Sequence, residues 1–212
     1  MSDGLGLRER KKLRTRQALI EASLRLFAEK GYEETTIAEI AAAVDVSART
    51  FFGYFAGKED VVFFDHRARA DEALELIAHR RAGEPVAGLL LRLAHQSLRS
   101  ALLGTDLAAD LSGLRNRLIM SVPALSARRL HLLYDTQRRL AEALQQAYGD
   151  EIDLTEAAAA IGAVAGAGHL AALMSMDRGE PPERVWAAGL RAVDIALRGL
   201  GPLGASMPEG GA

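Results

Sequence analysis

The sequence predicts an all-α fold, and three observations carry that prediction. Apolar residues recur at helical spacing through nearly all of the 212 residues. No stretch alternates apolar and polar residues between turn signals, as a half-buried strand would. Turn residues punctuate the periodic segments, among them Gly31, Gly83, Pro85, Pro123, Gly149 and Gly179.

The elements follow in order. Over residues 13–30, Ile20, Leu24 and Phe27 form one stripe with Leu19, Ala22 and Leu26 beside it, and Gly31 supplies a stop. Thr35 or Thr36 opens the next helix, and Glu39, three residues after Thr36, has capping-box spacing. That helix, IAEIAAAV, is short and alanine-rich, so Ala41, Ala42 or Ala43 lets a neighbouring helix come close. Asp45 occupies a turn where a left-handed backbone is expected, which Asp tolerates better than most non-glycine residues. Ser47 caps a third helix, ARTFFGYF, over residues 48–55. A long helix runs from Gly57 to Arg81 and ends before Gly83 and Pro85. Helical segments at 86–103, 107–120, 124–148 and 155–176 come next, separated by Pro123, Gly149-Asp150 and Gly179. A last helix covers 182–200 with Pro182 in its first turn, and the Gly/Pro-rich residues 201–212 read as a disordered tail.

Composition excludes several function classes. There is no cysteine, which removes disulfides, thiolate metal sites and cysteine nucleophiles and fits a reducing cytoplasm. The N-terminus has basic residues with no apolar run behind them, unlike a secretory signal. Residues 157–176 carry no formal charge and are long enough to span a bilayer, yet they are mostly Ala and Gly. A helix in a tightly packed interface, with no membrane partner, is the expectation. The five histidines (His66, His79, His95, His131, His169) show no metal-binding spacing; His131 and Asp135 alone do not make a site. No nucleophile elbow, phosphate loop or dinucleotide glycine pattern occurs, so no enzyme activity, cofactor or metal is expected.

Charge is unevenly placed. Residues 8–16, RERKKLRTR, hold six basic residues against one acid, a balance of +5 on a chain of net −2. The remainder therefore carries about −7, and the chain reads as a mildly acidic body with one anion-binding edge. Close behind lies VSARTFFGYFAGKED, which concentrates three of the six Phe and one of the four Tyr in five residues. Three short helices, the second and third joined by a tight turn, describe a helix-turn-helix. Phe51 and Phe55, four apart, share one face and bury the third helix. Its N-terminal end, with Arg49 and Thr50, then reaches base edges, and Tyr54 and Lys58 suit phosphates.

The segment TTIAEIAAAVDVSARTFFGYFAGKEDVV resembles the DNA-binding domain of the tetracycline-repressor (TetR) family of bacterial regulators, and TRQALIEASLRLFAEKGYEETT resembles that family's first helix. The resemblance covers roughly residues 14–64. The family usually has Gly where Asp45 stands and Tyr where Phe52 stands; Phe52 lacks the phenol that bonds a phosphate. The expected DNA-contacting set is Thr36, Ser47, Ala48, Arg49, Thr50, Phe52, Gly53, Tyr54, Lys58, Lys11 and Arg14. The expected domains are 8–56 for DNA binding and 57–200 for ligand binding and dimerisation.

The resemblance further implies a small-molecule pocket within residues 83–176, with candidates His95, Arg99, Arg115, Asn116, Met120, His131, Tyr134 and Met174. Few aromatics follow residue 64, which favours an aliphatic or acyl-type effector over a flat cation. The resemblance also implies that the last two helices form a four-helix bundle in a homodimer. Small residues at Ala158, Gly162, Ala165, Gly166 and His169 fit such close approach. Together these features describe a cytoplasmic, dimeric repressor that a ligand releases from palindromic operator DNA. The alternative is an architectural or activating DNA-binding protein of the same fold that takes no ligand.

Overall fold

The structure is a computed structural model that describes residues 6–102 and 109–199. The tail expected at 201–212 and the start of the helix expected at 107 lie outside the described residues. Those residues form α1 (Leu7–Lys30), α2 (Ile37–Ala43), α3 (Ala48–Phe52), α4 (Lys58–Val62), α5 (His66–Ala78), α6 (Val86–Leu102), α7 (Ala109–Ser121), α8 (Pro123–Ala147), α9 (Leu154–Asp177) and α10 (Pro182–Gly199). There is no strand among them.

The chain divides into two compact units, Met1–His66 with Asp106–His131, and Arg67–Thr105 with Leu132–Ala212. The sequence boundary at residues 56 and 57 therefore falls inside the first unit. Val61 and Val62 of α4, Leu111 and Ile119 of α7 and Leu125 of α8 are buried in the same core as Leu19, Ile20, Leu24 and Phe27 of α1. A three-helix domain of this size has little interior of its own, and these extra apolar side chains enlarge it.

Three boundaries differ from the sequence reading. α1 begins at Leu7 rather than Leu13, so the basic stretch is helical. α3 ends at Phe52, not Phe55, with Gly53 as its cap; a further turn is held by Tyr54 N–H and Phe55 N–H, which both donate to the Phe51 carbonyl (2.9 and 3.0 Å). The long helix expected from 57 to 81 breaks at residues 63–65. Tertiary partners hold that break. Arg16 donates to the Phe64 carbonyl (2.8 Å), and Arg115 grips Asp65 with two bonds of 2.8 and 3.1 Å.

In the second unit, Leu89, Leu90, Leu144, Ala157, Ala160 and Val193 lie in one aliphatic core. Tyr148 is buried there, and its hydroxyl donates to the Glu84 carbonyl (2.8 Å). Glu84 also pairs with Arg92 (2.7 Å), and those hydrogen bonds hold its carboxyl below the usual range. α9 and α10 approach closely at Gly168 and Gly189, where a Cβ would meet Val193 at 3.0 Å and Leu98 at 2.9 Å respectively.

Candidate nucleic-acid interface

The second and third helices are too short to persist alone, so each end must be satisfied explicitly. At the start of α2, the Thr36 hydroxyl accepts from Glu39 N–H (3.2 Å), and the Glu39 carboxylate accepts from Thr36 N–H (2.9 Å), a complete capping box. Glu39 also pairs with Lys30 at the end of α1. The Lys30 bond, followed by those from Thr36, pulls the Glu39 pKa down to about 2. Gly31 supplies the preceding turn at φ 103°, a left-handed conformation that favours glycine.

The turn between α2 and α3 has Asp45 at φ 55°, the one non-glycine residue with positive φ among those described. Val46 N–H returns to the Ala41 carbonyl (3.0 Å), and Ala41 is buried beneath it, as the close crossing requires. Ser47 then caps α3 by accepting from Thr50 N–H (3.1 Å). Phe51 and Phe55 are both buried, with ring centroids 5.7 Å apart. Phe51 also meets Phe52 edge-on, while Phe52 itself stays 56% exposed. The aromatic cluster is thus divided: two rings fix the helix and one remains at the surface.

The exposed side of this arrangement presents Thr36, Ser47, Ala48, Arg49, Phe52 and Gly53, with Thr50 and Tyr54 half-buried. The hydroxyls of Ser47 and Thr50 lie 2.9 Å apart, so Thr50 takes part in the cap. Lys11 and Arg14 are exposed on the first turns of α1.

Lys58 is placed differently from expectation. Its ammonium donates to the carbonyls of Tyr32 (2.6 Å) and Glu33 (3.3 Å) and lies 4.6 Å from the Tyr32 ring centre. Those carbonyls follow the Gly31 turn, outside any helix, and Lys58 satisfies them. A phosphate must therefore compete with these bonds rather than meet a free amine. Burial, with the charges of Glu59 and Glu33, pushes the Tyr32 phenol up to about 12.

Sequence reasoning misses the Phe64 stack. The guanidinium groups of Arg16 and Arg115 both lie over that ring, 5.7 and 5.0 Å from its centre, and Arg16 also lies 5.4 Å from the Phe55 ring. The sequence reading puts Arg115 at a ligand pocket. Its side chain is instead 11% exposed and committed to Asp65, so its role is structural. Only paired positions 50 residues apart could have signalled this, and a single sequence does not show them.

The other pocket candidates are divided between the two units. Asn116, Met120 and His131 belong to the first unit; His95, Arg99, Tyr134 and Met174 belong to the second; all seven are exposed. His95 does meet Trp186 edge-on at 5.7 Å, where the indole N–H is buried with no acceptor among the described residues. A surface groove of about 220 Å³ in the first unit is lined by Arg25, Ala28, Glu29, Leu111, Leu114 and Arg117, none of them a candidate. Along α9, Ala158, Gly162 and Gly166 are exposed with Leu170 and Met174 on the same row, while Ala165 and His169 are half-buried. A Cβ placed at Gly162 or Gly166 would meet no described atom of the chain within 4 Å, so the close helix contact within the chain belongs to Gly168 and Gly189 instead. By length and composition α9 could cross a membrane, with a mean hydropathy of 1.7 over its most apolar window.

Comparison with known proteins agrees with this geometry. Residues 19–63 match the family described as bacterial regulatory proteins, tetR family. The HTH-type transcriptional regulator TcmR of Streptomyces glaucescens is 36% identical over 155 residues, covering 71% of this chain and 68% of TcmR. Among solved structures, the fatty acid degradation regulator FadR from Bacillus halodurans superposes with a TM-score of 0.59 at 19% identity, covering 89% of this chain and 97% of that one. A SmeT–triclosan complex gives 0.60 at 20% identity, covering 92% and 100%. These last two show the shared fold. The residues around α2 and α3, the match to the family and the extent of the TcmR likeness lead to one conclusion: the chain belongs to the tetR family of bacterial regulatory proteins, and it is a DNA-binding transcriptional regulator rather than an enzyme.

Proposed function

We propose that this regulator is a homodimeric repressor, acting in the cytoplasm, that leaves a palindromic operator when a small molecule binds its second unit. The observation that carries the reading is α3: Phe51 and Phe55 are buried while Arg49 and its neighbours stay exposed. Arg49 and Thr50 contact base edges, with Ser47, Ala48 and Gly53 allowing close approach. Thr36, Tyr54, Lys11 and Arg14 contact the backbone; Phe52 contributes apolar contact, and Lys58 sets the position of α4 before any phosphate contact. The DNA-binding domain at 8–56 is completed by the helices that bury its core.

A palindrome needs two copies, because half-sites lie about 34 Å apart. The exposed row Ala158, Gly162, Gly166, Leu170 and Met174, flanked by Ala165 and His169, supports α9 as the contact between copies, and Ile195, 62% exposed, extends it onto α10. For the effector, SmeT binds triclosan and the Bacillus protein regulates fatty acid degradation, which supports an apolar, acyl-type molecule here. The unpaired Trp186 N–H beside His95 offers it a polar contact. A ligand that prefers one spacing of the recognition helices shifts the population away from DNA.

The test is a DNA titration on a duplex selected from a random pool. Arg49→Ala should weaken binding by about 1–3 kcal/mol and change base preference. Binding of every duplex as well as the parent would remove α3 from the interface. Medium-chain fatty acids and their thioesters should release the parent; indifference to all of them would favour the reading without a ligand.

A further inference from the structure

The first turns of α1 form a helix that stands clear of the core. Every residue from 7 to 14 is exposed, and the first buried residue of α1 is Leu19. Eight residues amount to about 12 Å of helix. Arg16, where α1 first bonds to a distant residue among those described, sits over Phe55, just past α3. The free segment therefore leaves the core beside the recognition helix. On it, Arg10 and Arg14 lie one turn apart, as do Arg8 and Lys12, with Lys11 between the two rows. Among the described residues, none of these five cations pairs with a carboxylate.

We infer that this segment is a rigid basic prong that grips phosphates flanking the core half-site, and so sets affinity by the length of DNA rather than by its sequence. The inference rests on the DNA-binding reading above and adds the mode of contact. An α-helix with side chains is about 10–12 Å across, whereas the minor groove is about 6 Å wide. A flexible arm can thread that groove and read A·T content; a helix of this width cannot. Charge complementarity selects nucleic acid as the occupant: five unpaired cations on one short helix face a polymer of regularly spaced anions. With α3 only five residues long, such contacts supply affinity that the recognition helix alone does not.

The experiment uses the full chain and its selected duplex, once with long flanks and once trimmed to the palindrome. Salt dependence is measured for the parent, for a triple variant (Arg8→Gln, Lys11→Gln, Lys12→Gln) and for Leu13→Pro, which breaks the helix while keeping every charge. On long flanks the triple variant should lose about 2–3 from the slope of log K against log salt per protomer, near 0.9 per phosphate contact. On the trimmed duplex the two slopes should converge, and reselection should return the parental consensus. Leu13→Pro should lose most of the long-flank advantage as well. A parental slope in the triple variant overturns the inference, as does a changed consensus, which would mean minor-groove reading by an unwound chain. A Leu13→Pro variant that keeps the full advantage overturns the helical mode. Unchanged DNA slopes with charge-dependent binding to phosphatidylserine vesicles would reassign the prong to a lipid surface. If the parent itself selects no duplex, the DNA-binding reading falls first and this one with it.

Discussion

In the first unit, α2 and α3 are seven and five residues long and are held by caps, a left-handed turn and two buried rings. In the second, α9 and α10 are 24 and 18 residues long and are held by close approach at Gly168 and Gly189. Short helices gain too little from propagation to offset nucleation, so polar groups at their ends and a few large side chains must fix them. Long helices satisfy most of their own backbone groups; α9 too has a capping box, between Asp153 and Glu156, but what chiefly remains to be specified is the shape of the contact.

The largest expected effect tests the buried rings. Phe51→Ala removes a fully buried side chain from the first unit and should cost about 3–5 kcal/mol in denaturant unfolding, abolishing DNA binding with it. A loss below about 1 kcal/mol would mean the caps alone hold α3. Next is the Asp65–Arg115 pair, 12% and 11% exposed. Asp65→Ala strands a nearly buried guanidinium and should cost about 3 kcal/mol, and adding Arg115→Met should restore part of it. An additive double variant would show that the pair carries no coupling.

The second unit should respond to volume rather than polarity. Gly189→Val drives a side chain into Leu98 and should cost about 1–3 kcal/mol. Calorimetry with no shift would show that α6 gives way freely. A smaller loss, about 1 kcal/mol, is expected for Thr36→Ala, which removes the cap of α2. That variant should also alter the acid limb. The folded Glu39 pKa of about 2 lies below its ordinary 4.5, so its contribution is full above that ordinary value and disappears as pH falls toward 2. Parent stability should decline across that window, and the variant slightly less, because Lys30 and the Thr36 backbone still hold Glu39; a steeper decline in the variant would sink this account. The smallest effect is a gain. Gly166→Ala meets no described atom of its own chain and should stabilise the helix by up to about 1 kcal/mol. Gly166→Leu, by contrast, should yield monomer in sedimentation; a stable dimer would move the contact off this row.

The first unit is well legible in the sequence because its signals are local. Thr36 with Glu39, Ser47 before α3, and Phe51 with Phe55 all act across three or four residues. The break at residues 63–65 is hidden because its causes, Arg16 and Arg115, lie about 50 residues away on either side. The helical stripe is legible only from Leu13, because the charged residues 8–12 offer no apolar face to read, yet α1 continues through them to Leu7. In α9, a run of small residues announces close packing but not its side. Gly162 and Gly166 have the familiar spacing, whereas Gly168 makes the contact, since the partner is α10 with its own Gly189.

Asp45 has a consequence for how such a regulator can change. At φ 55° the α2–α3 turn admits only residues at ease in a left-handed backbone, in practice glycine, asparagine and aspartate. The codons of aspartate lie one base from those of both others, so the turn can pass among all three without visiting a strained intermediate. Of the other single-base neighbours, histidine alone is also enriched in this conformation, whereas β-branched valine is an outlier there. The joint is therefore a narrow corridor in sequence space, open in both directions, while the exposed positions of α3 beside it carry no such backbone constraint.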